Sequence, residues 1–159
     1  MTVVDHPLRQ ISELNLRIST EMGALACWKT DLLWDSYLTL EFGARQTLIG
    51  KHGPVSMGEF RVLLDEVAWW VQRDGKVVLD CDDVLANLDR SDLDEAFIGR
   101  KLVRLDWREQ LSAIFSDRIA VVFERPEETS EQALDLRFAN GDCVNPYTDG
   151  AIEIESVSE

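Results

Sequence analysis

Leu8, Ile11, Leu14 and Ile18 recur at spacings of three and four. That period puts them on one face of a helix, and Pro7 suits its first turn. A strand-like alternation of Leu14, Leu16 and Ile18 competes only locally, so the pattern predicts an amphipathic helix over residues 7–20, ending near Gly23. From Ala24 the period changes to two. Leu38, Leu40 and Phe42 alternate with Tyr37, Thr39 and Glu41, the mark of a half-buried strand. Gly43 is expected to stop it. Gly50, Gly53, Pro54 and Gly58 predict a loop over residues 50–58.

Phe60–Leu64 reads as a further strand. Val67–Arg73 and Lys76–Asp80 flank Asp74-Gly75, which favours a type I′ hairpin because both central residues need positive φ. Trp69 and Trp70 are adjacent, so in a strand their rings face opposite sides. One is expected in the core and the other over a second layer or at a contact surface.

Residues 83–98 read as short helices. Ser91 resembles a cap, Asp92, Asp94 and Glu95 suit a first turn, and Gly99 suits a terminator. Beyond it, Lys101–Trp107, Arg118–Phe123, Leu134–Phe138 and Ala151–Glu155 read as strands, with Asn140-Gly141 a second hairpin signal. The sum is one helix and seven to nine strands joined by short turns. The expected fold is α+β, mainly antiparallel β-sheet with an N-terminal helix and a short helical insertion near residues 83–98. No linker or low-complexity run divides residues 1–159, so a single domain is expected.

Charge sharpens this picture. Thirty Asp+Glu stand against sixteen Lys+Arg, a net −14. Residues 80–99 hold seven acids and one base, residues 124–148 six acids and two bases, and residues 149–159 four acids. Such a field repels nucleic acid and anionic membrane and attracts basic partners. Hydrophobic content of 45% is that of a folded protein. Residues 1–10 lack a signal-peptide pattern, and no apolar run approaches membrane-helix length. The expected location is cytoplasmic.

Candidate chemistry is sparse. Cys27, Cys81 and Cys143 are odd in number and widely spaced, and the histidines are His6 and His52, so neither a zinc site nor a disulfide framework is suggested. Reduced thiols are expected. Asp80 and Asp82 fit the start of a calcium loop, but Leu85 occupies its glycine position and Ser91 its terminal glutamate position. Neither metal nor other cofactor is expected. No nucleophile–base pair and no phosphate-binding glycine loop occurs in the sequence, so no catalytic residue is assigned. Five tryptophans favour core anchoring, with one or two rings left for an interface. The basic stripe Arg100, Lys101, Arg104 and Arg108 is expected to pair within the molecule.

The phrases Leu38-Thr39-Leu40-Glu41-Phe42-Gly43, Ala68-Trp69-Trp70…Gly75 and Leu134-Asp135-Leu136-Arg137-Phe138-Ala139-Asn140-Gly141 resemble a set of small uncharacterised bacterial β-rich proteins. Some of these resemble immunity proteins that accompany secreted or contact-delivered toxins. The resemblance spans roughly residues 24–155 and carries over no functional residue.

The leading expectation is function by binding: a non-enzymatic acidic protein, of the immunity type, that neutralises a basic protein or toxin. Its candidate contacts are Asp82, Asp83, Asp89, Asp92, Asp94 and Glu95. A second patch comprises Glu127, Glu128 and Glu131, and Trp70 is the candidate exposed ring. The alternative is a small-ligand protein or enzyme with a pocket near Trp69, Trp70 and His52. A homodimer through an exposed tryptophan or a sheet edge is the third arrangement.

Overall fold

The computed structural model describes residues 7–33, 37–51, 53–64, 68–81, 90–125 and 130–156. Helix α1 (Pro7–Glu21) turns Ile11, Leu14 and Ile18 into the core, as their spacing predicts. Strands β1 (Cys27–Leu33), β2 (Tyr37–Gly50) and β3 (Gly53–Leu64) follow as an antiparallel meander. The chain then builds a second sheet and returns with β9 (Leu134–Arg137), β10 (Cys143–Pro146) and β11 (Ile152–Glu155). Because β9 pairs with β3, the first sheet has the order β1-β2-β3-β9-β10-β11 and is interrupted in sequence by the second.

The second sheet comprises β4 (Trp69–Arg73), β5 (Lys76–Asp80), β6 (Leu102–Trp107), β7 (Leu111–Phe115) and β8 (Ile119–Phe123), in the order β5-β4-β8-β7-β6. Helix α2 (Arg90–Phe97) lies between β5 and β6 in sequence. Among the described residues every strand pairing is antiparallel. The fold is therefore α+β, mainly antiparallel sheet with an N-terminal helix and a short helix in the middle of the chain. Both sheets turn one face into a common core, Leu40, Phe42 and Leu136 from the first and Val71, Ala113 and Val121 from the second. Burying such a continuous apolar face is the main force holding the layers together.

Turn chemistry explains the connections. Asp74 (φ 53°) and Gly75 (φ 79°) make the predicted type I′ turn between β4 and β5. Between β7 and β8 the same geometry falls on Asp117 (φ 60°) and Arg118 (φ 65°), neither of them glycine. Tertiary contacts hold that turn: Arg100 Nη1 donates to Asp117 Oδ2 at 2.9 Å and Arg118 Nη1 to Asp74 Oδ1 at 3.1 Å. The sequence reading passed over β7, because Asp-Arg carries no glycine signal. The two turns of the β9-β10-β11 meander share one design. Phe138 N–H donates to Asp142 O and Tyr147 N–H to Ala151 O, with Gly141 and Gly150 both at positive φ.

Three expectations are corrected. Gly43 does not end β2. With φ 78° it forms a bulge in which Gly43 and Ala44 oppose Glu59, and pairing resumes at Arg45↔Gly58. Residues 50–58 are consequently not a loop: β2 and β3 continue as a paired ribbon to Gly50↔Gly53. The β-prone residues Thr47, Leu48 and Ile49, paired with Ser56, Val55 and Pro54, outweigh the glycines and the proline, which sit where β3 has no outer neighbour. Helix α2 is already under way at Arg90, so Ser91 lies inside it rather than at a cap.

Helix α1 ties the two sheets together. Asn15 Nδ2 donates to Leu105 O at 2.8 Å, and Leu105 N–H donates back to Asn15 Oδ1 at 2.7 Å, as a neighbouring strand would. Two residues on, about half a turn round the helix, Arg17 reaches the other sheet. It pairs with Asp142 at 2.9 Å and lies 3.9 Å over the Phe138 ring. Burial works against its charge, but hydrogen bonds to Glu21 and Asp142 outweigh this and hold the guanidinium above its ordinary pKa.

Candidate functional site

Helix α2 buries Leu93, Ala96 and Phe97, and Phe97 meets Phe115 edge to face at 5.5 Å between centroids. Asp92 and Glu95, three residues apart, share the exposed side. Opposite them stand Arg73, Val78 and Leu79 of the β4–β5 hairpin, and the two walls enclose a groove of about 240 Å³. Val77 on the same edge strand is 59% exposed. The groove thus joins two carboxylates and one guanidinium to an apolar sheet edge. An edge of this kind is a natural site for protein contact.

The other predicted contacts are placed elsewhere. Asp94 faces β1, where Oδ1 accepts the Thr30 hydroxyl at 2.6 Å, so this carboxylate helps seat α2 on the first sheet. Glu131 precedes β9; its N–H donates to Thr148 Oγ1 at 3.0 Å, and its side chain is exposed. Asp82, Asp83, Asp89, Glu127 and Glu128 lie outside the described residues, as do His52 and Trp34.

Trp69 enters the core and Trp70 is half-buried on the opposite face of β4, the division expected of adjacent strand residues. Trp70 stands in a cross-strand row with Asp80 on one side and Val122, Ser112 and Asp106 on the other. Gln72, Ser112, Val122 and Asp106 line a shallow groove near the Arg108 loop. None of the grooves described is lined by Trp69 or Trp70. Within the basic stripe, Arg100 pairs with Asp117 at 2.9 Å and Arg104 with Asp106 at 3.0 Å. All three cysteines are free thiols. Among the described residues no group of three His, Cys, Asp or Glu side chains could hold a metal ion, and no helix is long and apolar enough to cross a membrane.

Sequence reasoning missed the projecting part of the β2–β3 hairpin and the way its root is fixed. Glu41 is 1% exposed on β2, yet its carboxyl group is fully engaged. Its Oε1 takes Arg61 Nε at 2.6 Å and its Oε2 takes the Gly58 N–H at 3.0 Å. A β-carbon on Gly58 would collide with the backbone of Phe42, so glycine alone allows this close approach. Around the bulge, Trp28 Nε1 donates to Gly43 O at 2.9 Å, Glu59 Oε1 accepts the Ala44 N–H at 3.0 Å, and Arg45 lies 4.5 Å over the Trp28 ring. The recurrence of glycine at Gly43 and Gly58 within otherwise β-prone sequence is the available signal. No family model matches the chain, and no curated protein or solved structure does.

Proposed function

We propose that the chain acts by binding a basic protein, as an immunity-type inhibitor would, with the α2–β5 groove as its contact surface. One observation carries this reading: Asp92 and Glu95 converge beside the exposed apolar edge of β5. The net charge of −14 adds long-range attraction for a cationic partner. Apolar contact from Val77 and Val78 would supply the desolvated centre, with the carboxylates at the rim. Arg73 in the same wall favours a partner that presents an acceptor among its basic groups.

Affinity capture with the full chain, compared with its Asp92→Lys/Glu95→Lys variant, tests the reading. A basic partner held by the wild type, lost in the variant and released by added salt is the expected result. An acidic partner, indifference to salt or equal capture by the variant overturns it.

A further inference from the structure

The β2–β3 arm and the β11 edge have features that neither the core nor the acidic groove uses. Residues 42–58 are the longest run of the chain without an Asp or Glu, and they include Arg45 and Lys51. The arm is thus a basic projection from an acidic body. Ile49 is 90% exposed, and Leu48 and Val55 are each about half exposed. Cross-strand pairs Leu48↔Val55 and Ile49↔Pro54 place apolar groups on both faces of the ribbon. A two-stranded ribbon wet on both faces is marginal by itself. Here its root is nevertheless locked by the Glu41–Arg61 pair and the Gly58 contact, which set the direction in which it leaves the sheet.

The matching surface lies at the far edge of the same sheet. β11 is the outermost strand, with Ile152 and Ile154 turned toward α1. Together with Leu14 and Val144 they line a groove of about 310 Å³, and Ile154 is 58% exposed. Glu153 and Glu155 alternate with these isoleucines and are exposed. Arg17, the base in the groove, is already engaged by Glu21 and Asp142. An apolar outer strand is a template for a further strand.

We propose that the arm and β11 are the two halves of a homodimer interface, the arm of each copy lying along β11 of the other. Leu48 and Val55 cover Ile154 and its groove, while Arg45 and Lys51, on the opposite face of the ribbon with Ile49, lie beside Glu153 and Glu155. The second copy is the occupant that fits, because it supplies both the opposite charge and the opposite shape. From Arg45 to Gly50 the ribbon extends about 20 Å at about 3.3 Å per residue, enough to run the length of four-residue β11. Reciprocal contacts close a two-fold dimer, so neither the arm nor β11 is left open to polymerise. This interface uses no residue of the α2–β5 groove, so the two proposals fail separately.

Sedimentation equilibrium of the full chain tests it, with concentrations up to about 1 mM, beyond which association is too weak to count as specific. Wild type is expected to reach twice the 18.1 kDa chain mass, and added salt should weaken the dimer. Two charge-reversed variants, Arg45→Glu/Lys51→Glu on the arm and Glu153→Lys/Glu155→Lys on the edge, should each be monomeric alone. Mixed one to one, they should recover the dimer, since each arm then meets an edge of opposite sign. All the altered side chains are exposed, and unchanged far-ultraviolet circular dichroism and melting temperature verify the fold; Ile49→Asp, the least buried position, serves as a second arm variant. A wild type that stays monomeric, a dimer untouched by these variants, or a mixture that stays monomeric overturns the proposal.

Discussion

Along β2, Leu38 to Phe42 are buried while Ala44 to Gly50 are exposed, although both stretches pair with β3 in register on either side of one bulge. Inside the bulge, β1 and β9 flank the hairpin and its inner side chains join the core. Outside it, among the described residues, the two strands have no further strand partner, and only side chains of β1 reach them, Trp28 at Arg45 and Lys29 at Ser56 O. The backbone ladder is the same in both halves, so hydrogen bonding does not distinguish them. Burial does. The inner half is held by the second layer of the protein. The outer half persists because its root is fixed by Gly43, Gly58 and the Glu41–Arg61 pair.

Four measurements would break or sharpen this contrast. Phe42→Ala should cost about 3–5 kcal/mol in urea unfolding, the loss expected for a fully buried phenylalanine. A loss below about 1 kcal/mol would mean that the inner half is not core. Glu41→Ala strands Arg61 and the Gly58 N–H together and should cost about 2–3 kcal/mol, somewhat less than a fully buried pair because Arg61 is partly wet. Glu41→Gln should recover part of that loss, since its carbonyl can still accept the Gly58 N–H.

Cys27 reports on the dryness of the inner half, because it faces Phe42 across β1 and β2. Burial pushes its thiol from 9.0 up to about 12. Below about pH 9 the folded and unfolded chains both keep the proton, and this contribution is complete. Between about pH 9 and about pH 12 the unfolded chain ionises while the folded one does not. Stability should therefore fall by up to about 1.4 kcal/mol per pH unit in that window. Cys27→Ala should remove that part of the slope, and equal alkaline slopes for the two proteins would refute a buried thiol. Finally, Ile49→Ser in the outer half should change the stability of the dilute monomer by no more than about 0.5 kcal/mol.

Most of the layout was legible in the sequence wherever a period and a turn signal agreed. The helix at Leu8–Ile18, the Asp74-Gly75 hairpin and the Leu134–Phe138 strand each had both. Legibility failed where tertiary contacts replaced the local signal. Asp117 and Arg118 adopt a glycine-like turn because Arg100 and Asp74 hold them there. Residues 50–58 read as loop because glycine and proline ordinarily break strands, but an unpaired outer edge removes the penalty. The candidate site was half legible. Asp92 and Glu95 stood out as acid, but that Val78 would face them, and that Asp94 would turn away to Thr30, depends on how α2 packs between the sheets.

Helix α1 also bears on the order in which the molecule is made. Its partners are Leu105, Phe138 and Asp142, with the isoleucines of β11 beside Leu14, all of them late in the chain. During synthesis the helix is among the first segments to emerge and waits long for its seat, exposing Ile11, Leu14 and Ile18 at least until β6 has left the ribosome. The β1–β3 meander and the β6–β8 meander have no such wait, since their strands pair close in sequence. Docking of α1 thus waits on the second half of the chain, and a nascent chain stopped before residue 102 would carry its first helix unhoused.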